Sequence, residues 1–289
     1  MSGPLFANAL VSGLLLAGFY AAVSVGISIA FGMLDVVNIA HPAFIILGSY
    51  AASVANASIG ADPIVTAVAL SPVFFALGLF LYRFYHASFE RRGREPLRGL
   101  AFFFGILFVT EVALILAFGV DYRSVTARYI GTTWRFGTVD LPLRLFVPFV
   151  VSVAMTLSLQ VFLSRTFFGR AVLAVGQDQL ALQLMGVDPV RIKQIAFGIS
   201  IATAGVAGAL LVVIQPVQPS LGRQYIGLVF AIPVLGGMGS IAGTLAGAAI
   251  LGVATSFTAT FFGPSWAPAV SFGILLFALA FRPSGLFGR

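Results

Sequence analysis

From Gln224 to Phe281 the chain carries no Asp, Glu, Lys or Arg. A charge-free stretch of that length fits an environment of lipid or packed protein. As a helix, at ~1.5 Å rise per residue, it crosses a ~30 Å hydrocarbon core more than once. Met1 to Leu34 is charge-free as well. Inside hydrocarbon every backbone N–H and C=O must find a partner within the protein, so only helices and closed barrels span. Barrel strands alternate apolar and polar residues over short segments, and these runs do not alternate. Composition agrees, with 60% hydrophobic and 9% charged residues against about 25% charged in a soluble domain. The sequence predicts an all-α polytopic transmembrane helical bundle. Candidate spans lie near 6–31, 38–57, 64–84, 99–119, 143–164, 195–214, 225–239, 241–262 and 266–282. The segment 225–239 is short and contains Pro233, which fits a broken or re-entrant helix and leaves eight or nine crossings.

The apolar N-terminus has no basic region and exceeds a signal-peptide core, so it reads as a retained first span. There is no cysteine, which excludes disulfides, thiolate catalysis and cysteine-ligated metal. His41 and His86 alone are too dispersed for a histidine-built metal site, so no metal or cofactor is expected in this chain. The net charge of +7 sits mostly in loops between spans, where it orients a membrane protein rather than binding nucleic acid. In the nine-crossing arrangement eleven basic residues share one face: Arg83, Arg91, Arg92, Arg94, Arg98, Arg165, Arg170, Arg191, Lys193, Arg282 and Arg289. Five (Arg123, Arg128, Arg135, Arg144 and Arg223) lie on the other. The positive-inside rule puts the eleven in the cytoplasm, with the N-terminus outside and the C-terminus inside.

Residues 33–50 interrupt this apolar sequence with Asp35, Asn38, His41 and Pro42. Such groups are costly against lipid and are expected to face protein or water, on a transport route. Asp35 or Asn38 suits the cap of the second span, with Pro42 in or just beyond its first turn. Charge asymmetry puts that start at the cytoplasmic end, where Asn38 and His41 would line or gate an inner path. The simpler reading is that both only hold the loop through hydrogen bonds. Glu111 is the one carboxylate well inside a predicted span and is a candidate for a solute or proton role, or for an interhelical hydrogen bond.

Between the fifth and sixth spans, residues 165–195 are semi-polar. Gln177, Asp178 and Gln179 open a short helix with Leu180, Leu184 and Val187 on one face and Ala181 and Met185 beside it, and Gly186 and Asp188-Pro189 end it. An amphipathic helix at that face suits docking on protein or lying on the membrane. Gly239, Gly243 and Gly247 recur every four residues, which predicts a glycine face for close helix packing. A bend at Gly236-Gly237 would instead expose backbone to a passing solute. The Gly237–Ala242 window fits a dinucleotide-type glycine pattern, but no strand–helix unit surrounds it and no lysine follows, so ATP hydrolysis is not expected here. The loop 120–142, with Asp121, Arg123, Arg128, Trp134, Arg135 and Asp140, suits contact with an extracytoplasmic protein or simple solvation.

Asn38-Ile39-Ala40-His41 followed by Leu47-Gly48-Ser49-Tyr50 resembles a signature of the branched-chain amino-acid permeases of ABC importers. The stretches from Arg170 to Pro189, continuing to Gly208, and from Val234 to Ser240 resemble the same family in the same order. The resemblance implies that residues 1–289 form a single transmembrane permease domain, with a coupling segment at 165–195. It implies a homologous second permease, two cytoplasmic ATPases holding ATP and Mg, and a periplasmic binding protein, in a bacterial inner membrane. Coupling would fall to Gln177, Asp178, Ala181, Leu184, Met185 and Gly186. The solute would be a branched-chain or hydrophobic amino acid, with urea, short amides or other small acids as the alternative. Pro42 departs from the family, which usually has glycine there. An ion-coupled carrier would need more intramembrane carboxylates or broken helices in repeated halves, and a channel would need rings of selectivity residues on oligomerisation.

Overall fold

The computed structural model describes residues 3–90 and 96–287. Arg91, Arg92, Arg94 and Arg289, part of the charge asymmetry, lie outside the described residues. Among those described, the chain forms helices α1 (Gly3–Ala30), α2 (His41–Ile59), α3 (Pro63–Ser88), α4 (Pro96–Phe118), α5 (Leu143–Arg165) and α6 (Phe167–Val175). There follow α7 (Gln179–Leu184), α8 (Pro189–Ile214), α9 (Leu221–Gly236), α10 (Ile241–Phe261) and α11 (Ala267–Phe281). Strands β1 (Thr133–Phe136) and β2 (Val139–Pro142) pair antiparallel in the α4–α5 loop, with Thr133 opposite Pro142. Eight helices are long and apolar enough to cross a membrane, and α9 is a shorter apolar helix. The all-helical membrane bundle read from sequence therefore holds, with the hairpin as an unforeseen addition.

Packing decides the crossing number. Ser256 at the end of α10 donates to the Ala9 carbonyl near the start of α1, at 2.7 Å. At the opposite end Thr244 of α10 donates to Ser28 of α1, at 2.8 Å. Thus α10 starts at the end of the bundle where α1 finishes. The segment leaving α8 pairs Val217 with Arg123 of the α4–α5 loop, at the other end. The link between them, residues 215–236 including the 16-residue helix α9, carries the chain across. The path is thus nine-crossing, with the described termini at opposite faces: α1 starts beside the hairpin, where Asn8 bonds Thr138 and Asp140. The opposite end holds α6, α7 and the segment after α11, and is called the basic face below.

The centre is α8, 89% of whose most apolar stretch is buried. Lipid gives helices no hydrophobic reason to associate, so close packing of small residues supplies it. A Cβ at Gly48 of α2 would overlap the backbone of Gly205, one at Gly208 the Ile45 carbonyl, and one at Gly78 of α3 would sit 2.7 Å from the Gly198 Cα. Ser49 fills the gap, donating to the Gly208 carbonyl at 2.7 Å. Short acceptors cap the starts of α3, α8 and α10: Asp62 accepts from Ile64 N–H, Asp188 from Val190 N–H and Ser240 from Gly243 N–H.

The predicted glycine stripe is corrected in one place. Gly239 lies before α10, not on it, in a turn with φ +79° against the Gly32 carbonyl, while Gly243 and Gly247 do pack α10 on α9. Replacing Gly208 with Val should lower stability by ~3 kcal/mol or more, because the added carbons meet fixed backbone. Gly105→Ala on α4, where a Cβ meets nothing within 4 Å, should stay within ~0.5 kcal/mol of wild type. Thermal unfolding in detergent measures both, and equal melting of Gly208→Val and wild type would contradict this packing.

Candidate functional site

The polar break is the centre of the bundle. After α1 ends, residues 31–34 turn at the basic face, held by Met33 and Leu34 N–H donating to the Ile29 carbonyl. Asp35 takes φ +57°, the one non-glycine residue with positive φ among the described residues, a conformation Asp tolerates better than most. The chain then continues without helix through residues 36–38 back into the bundle, and α2 begins at His41. The His41 ring sits against Gly26 of α1, beside Ser200 and Thr203 of α8. Those α8 residues face the middle of α3, since Gly198 and Ile201 pack on Gly78 and Gly205 packs on Phe74. The second span thus starts near mid-depth. The non-helical residues after Asp35 carry His41 inward from the basic face, to the level of Gly26 four residues before the end of α1, so α2 does not start at the surface of the bundle as its place in the sequence suggests.

The expected cap is corrected too. Neither Asp35 nor Asn38 caps α2: the cap position is Ala40, without a side-chain bond, and Pro42 occupies the first turn as foreseen. Asn38 serves through its backbone, its carbonyl accepting from His41 N–H at 3.2 Å. The side chains of Asn38 and His41 are fully buried, and none of their polar atoms has a hydrogen-bond partner. The Val23 carbonyl faces the ring, outside hydrogen-bonding geometry. Ser24 and Tyr50 are buried with unpartnered hydroxyls as well. Purely structural polar groups are normally satisfied, so hydrogen bonding among the described residues does not account for this cluster.

Glu111 finds the basic partner missing from its own span. Arg223 of α9 reaches its carboxylate at 2.8 Å. Sequence order had put Arg223 among the outer-loop charges, and only the descent of residues 215–222 to the level of Pro42 brings the two together. A Cβ at Gly222 would lie 3.6 Å from the Pro42 carbonyl, so α2 and α9 start side by side and run in opposite directions.

Gly236 and Gly237 do not offer free backbone to a solute. Leu286 and Phe287 N–H groups donate to the Leu235 and Gly236 carbonyls at 3.0 and 2.9 Å, so the C-terminal segment occupies the acceptors at the end of α9. Beside this junction a cavity of ≈ 510 Å³ opens on the basic face, lined by Gly32, Gln160, Ser164, Gln177, Gly239 and Ser240 among others.

The segment 165–195 holds two helices where one was expected. Thr166 caps α6, accepting from Gly169 at 3.0 Å, and Asp178 caps α7, accepting from Leu180 and Ala181. Gly186 ends α7 with φ +79°. Leu182 is the buried residue of α7, while Leu180, Leu184 and Met185 are 66%, 82% and 70% exposed. Gln177 and Ala181 are exposed beside them. A Cβ at Gly176 would overlap the Met33 carbonyl, so this segment bears on the loop that leads to His41.

One cluster escaped sequence reasoning. Lys193, the one lysine of the chain, is 6% exposed at the start of α8 and bonds Glu90 at 2.6 Å. Tyr82 donates to the same carboxylate at 2.6 Å, and His86 lies 2.9 Å from it. These residues clamp the end of α3 to the start of α8. The available signal was a lone lysine at a span edge, which counting charges treats as a loop residue. Burial works to raise the Glu90 carboxyl, but hydrogen bonds from Lys193, Tyr82 and His86 outweigh it and hold the pKa below the ordinary glutamate value. A lowered folded pKa means that the unfolded chain binds the proton more readily, so this stabilisation is complete above about pH 5 and fades as pH falls through the folded pKa. Glu90→Gln should therefore cost ~2 kcal/mol near pH 7, since Lys193 stays buried without its carboxylate. The gap should close as pH falls through the lowered folded pKa of Glu90. Thermal unfolding in detergent across pH reads this, and a pH-independent gap would refute the account.

The model of the family described as branched-chain amino acid transport system / permease component matches residues 9–279. The high-affinity branched-chain amino acid transport system permease protein BraD of Pseudomonas aeruginosa is 30% identical over 97% of this chain and 95% of its own. LivH of Escherichia coli K12, with the same description, is 26% identical over 98% and 96%. LivM of that organism is 31% identical over 62% of this chain and 43% of its own length. No solved structure gives a significant match.

Proposed function

The chain belongs to the branched-chain amino acid transport permease family, and from that premise we propose that it is one membrane subunit of a binding-protein-dependent ABC importer for branched-chain or hydrophobic amino acids. The observation that carries the reading is the family match across residues 9–279. That match falls on a helical bundle whose polar centre has unpartnered donors and acceptors. LivH and LivM are two permease proteins named for one transport system in one organism, which supports a homologous second permease beside this chain.

In this reading the basic face is cytoplasmic, the hairpin face is periplasmic, and the membrane is the bacterial inner membrane. ATP and Mg belong to two separate ATPase subunits. These dock on α7, where Gln177, Asp178, Ala181 and Gly186 frame the apolar group Leu180, Leu184 and Met185. The periplasmic binding protein docks at the hairpin face and supplies most of the selectivity. Asn38 and His41 line or gate the path near mid-depth, with Pro42 fixing the first turn that presents them and Glu111 lining it beyond. The solute leaves through the cavity between Gln160, Gln177 and Ser240. Gly243 and Gly247 hold α10 on α9, and Gly239 lets the turn before α10 touch the loop after α1. The whole of 1–289 acts as a single permease domain. Urea, short amides or small acids remain the alternative solutes, since no residue here separates leucine from them.

The deciding experiment is reconstitution of the chain with a second permease, the ATPases and the binding protein. ATP-driven leucine uptake is expected, and uptake by the chain alone, down or against an ion gradient, would defeat the reading. His41→Ala should assemble normally but lower uptake about tenfold, the equivalent of one or two hydrogen bonds in the transport step. Wild-type uptake by that variant would remove His41 from the path. Replacing Leu184 and Met185 with Ser should weaken ATPase association at least about tenfold, given ~1.5–3 kcal/mol for each large apolar side chain buried. Co-purification of the ATPase at wild-type stoichiometry under dilution would count against α7 as the docking helix.

A further inference from the structure

Glu111 and Arg223 stand at a depth where a bilayer tolerates charge poorly. α4 runs Pro96–Phe118, so Glu111 is four residues, or ~6 Å, from its centre. The carboxylate is 9% exposed, whereas the Arg223 side chain is 51% exposed. Gln224, next along α9, is exposed too. Snorkelling to the surface does not relieve this arginine, because the 2.8 Å contact with Glu111 pins its head group. The guanidinium also stands over the Phe108 ring, 5.9 Å from its centroid. It has five N–H donors, and Glu111 is the one acceptor paired with it among the described residues.

Lipid against this face would leave those donors in hydrocarbon at considerable cost. An apolar protein surface would leave them unsatisfied just as surely. Water satisfies them, and so does a carboxylate, which a guanidinium binds in bidentate fashion. The first turn of α9 lies at the same place, and its cap residue Ser220 makes no side-chain bond, so the positive end of the helix dipole adds to the attraction for an anion.

We infer that the α4–α9 face carrying Glu111, Arg223 and Gln224 borders the water-filled solute route of the assembled importer, and that Arg223 receives the carboxylate of an amino-acid zwitterion in transit. The inference rests on the importer reading above and adds a site and a substrate group to it. Glu111 keeps the guanidinium in place and is a positioning residue.

The chain contains no cysteine, so a thiol introduced by Gln224→Cys is unique in this subunit. In proteoliposomes holding the complete importer, this variant should react with a charged, membrane-impermeant thiol reagent, and leucine-loaded binding protein with ATP should slow the reaction. Labelling only by a lipid-soluble maleimide, or by neither reagent, would overturn the inference. For the carboxylate site, the double variant E111Q/R223Q removes both charges and leaves no unpaired ion to unfold the chain. It should assemble and hydrolyse ATP on addition of loaded binding protein, yet take up leucine about tenfold more slowly or less, the scale of one charge-assisted hydrogen bond. A purely structural pair would be restored by that double variant, so wild-type uptake would refute the site. Failure of the wild-type assembly to take up leucine with ATP would instead defeat the importer reading itself.

Discussion

The contact on which the rest of the structure depends is the approach of α2 and α3 to α8 at Gly48–Gly205, Ile45–Gly208 and Gly78–Gly198. Within lipid there is no solvent to squeeze out between helices, so association comes from dispersion and interhelical hydrogen bonds. Glycine lets backbones meet, and Ser49, donating to both the Ile45 and Gly208 carbonyls, fastens the crossing. Because α8 is surrounded on several sides, α2 has no room to run the full thickness next to the end of α1. It starts instead at mid-depth, and the chain reaches that start through a non-helical segment.

A non-helical segment inside a membrane protein leaves backbone groups unpaired by helix, and such segments persist only where protein or water surrounds them. Residues 36–40 meet that condition, with Val36, Asn38 and Ala40 buried, while Asp35 before them is exposed. The same reasoning applies to residues 215–220, which descend to the start of α9. Two short-cut helices therefore begin side by side near the middle of the bundle and diverge to opposite faces. Polar side chains gather where helices begin: Asn38 and His41 on one side of α2, Glu111 and Arg223 on the other. α11, by contrast, is continuous, largely exposed to its surroundings and has Ser271 as its one polar residue.

Much of this was legible in the sequence, and the reasons differ by feature. Span positions follow from charge-free runs, which is why α1, α4 and α10 lie where periodicity and charge put them. Asp178 announced the start of α7 because a cap needs a short acceptor just ahead of the first turn, whereas Asp188, read as the end of that helix, caps the start of α8. Depth was not legible, since a polar break reads the same whether its residues stay at the surface or turn back inward. The Glu111–Arg223 and Glu90–Lys193 pairs were not legible either. Each joins residues more than a hundred positions apart, and a sequence carries no distance between them. The Gly236 carbonyl was misread because its partner, Phe287, comes from the last described residues of the chain.

The loop from Phe31 to Ala40 ties these features together mechanically. Gly176 of the α6–α7 junction touches the Met33 carbonyl, and Gly239 of the α9–α10 turn touches the Gly32 carbonyl. Contacts between backbones have no side-chain torsions to absorb a displacement, so a shift on the basic face is passed to the loop with little loss. The loop in turn has no slack, because Val36 N–H is bonded to the Ala30 carbonyl and His41 N–H to the Asn38 carbonyl, at 2.9 and 3.2 Å. About eight residues of chain thus separate the Gly176–Met33 contact from His41. The unsatisfied imidazole and amide at the end of that lever have no hydrogen bond to break before they move, which lowers the cost of changing their positions relative to a fully bonded polar core.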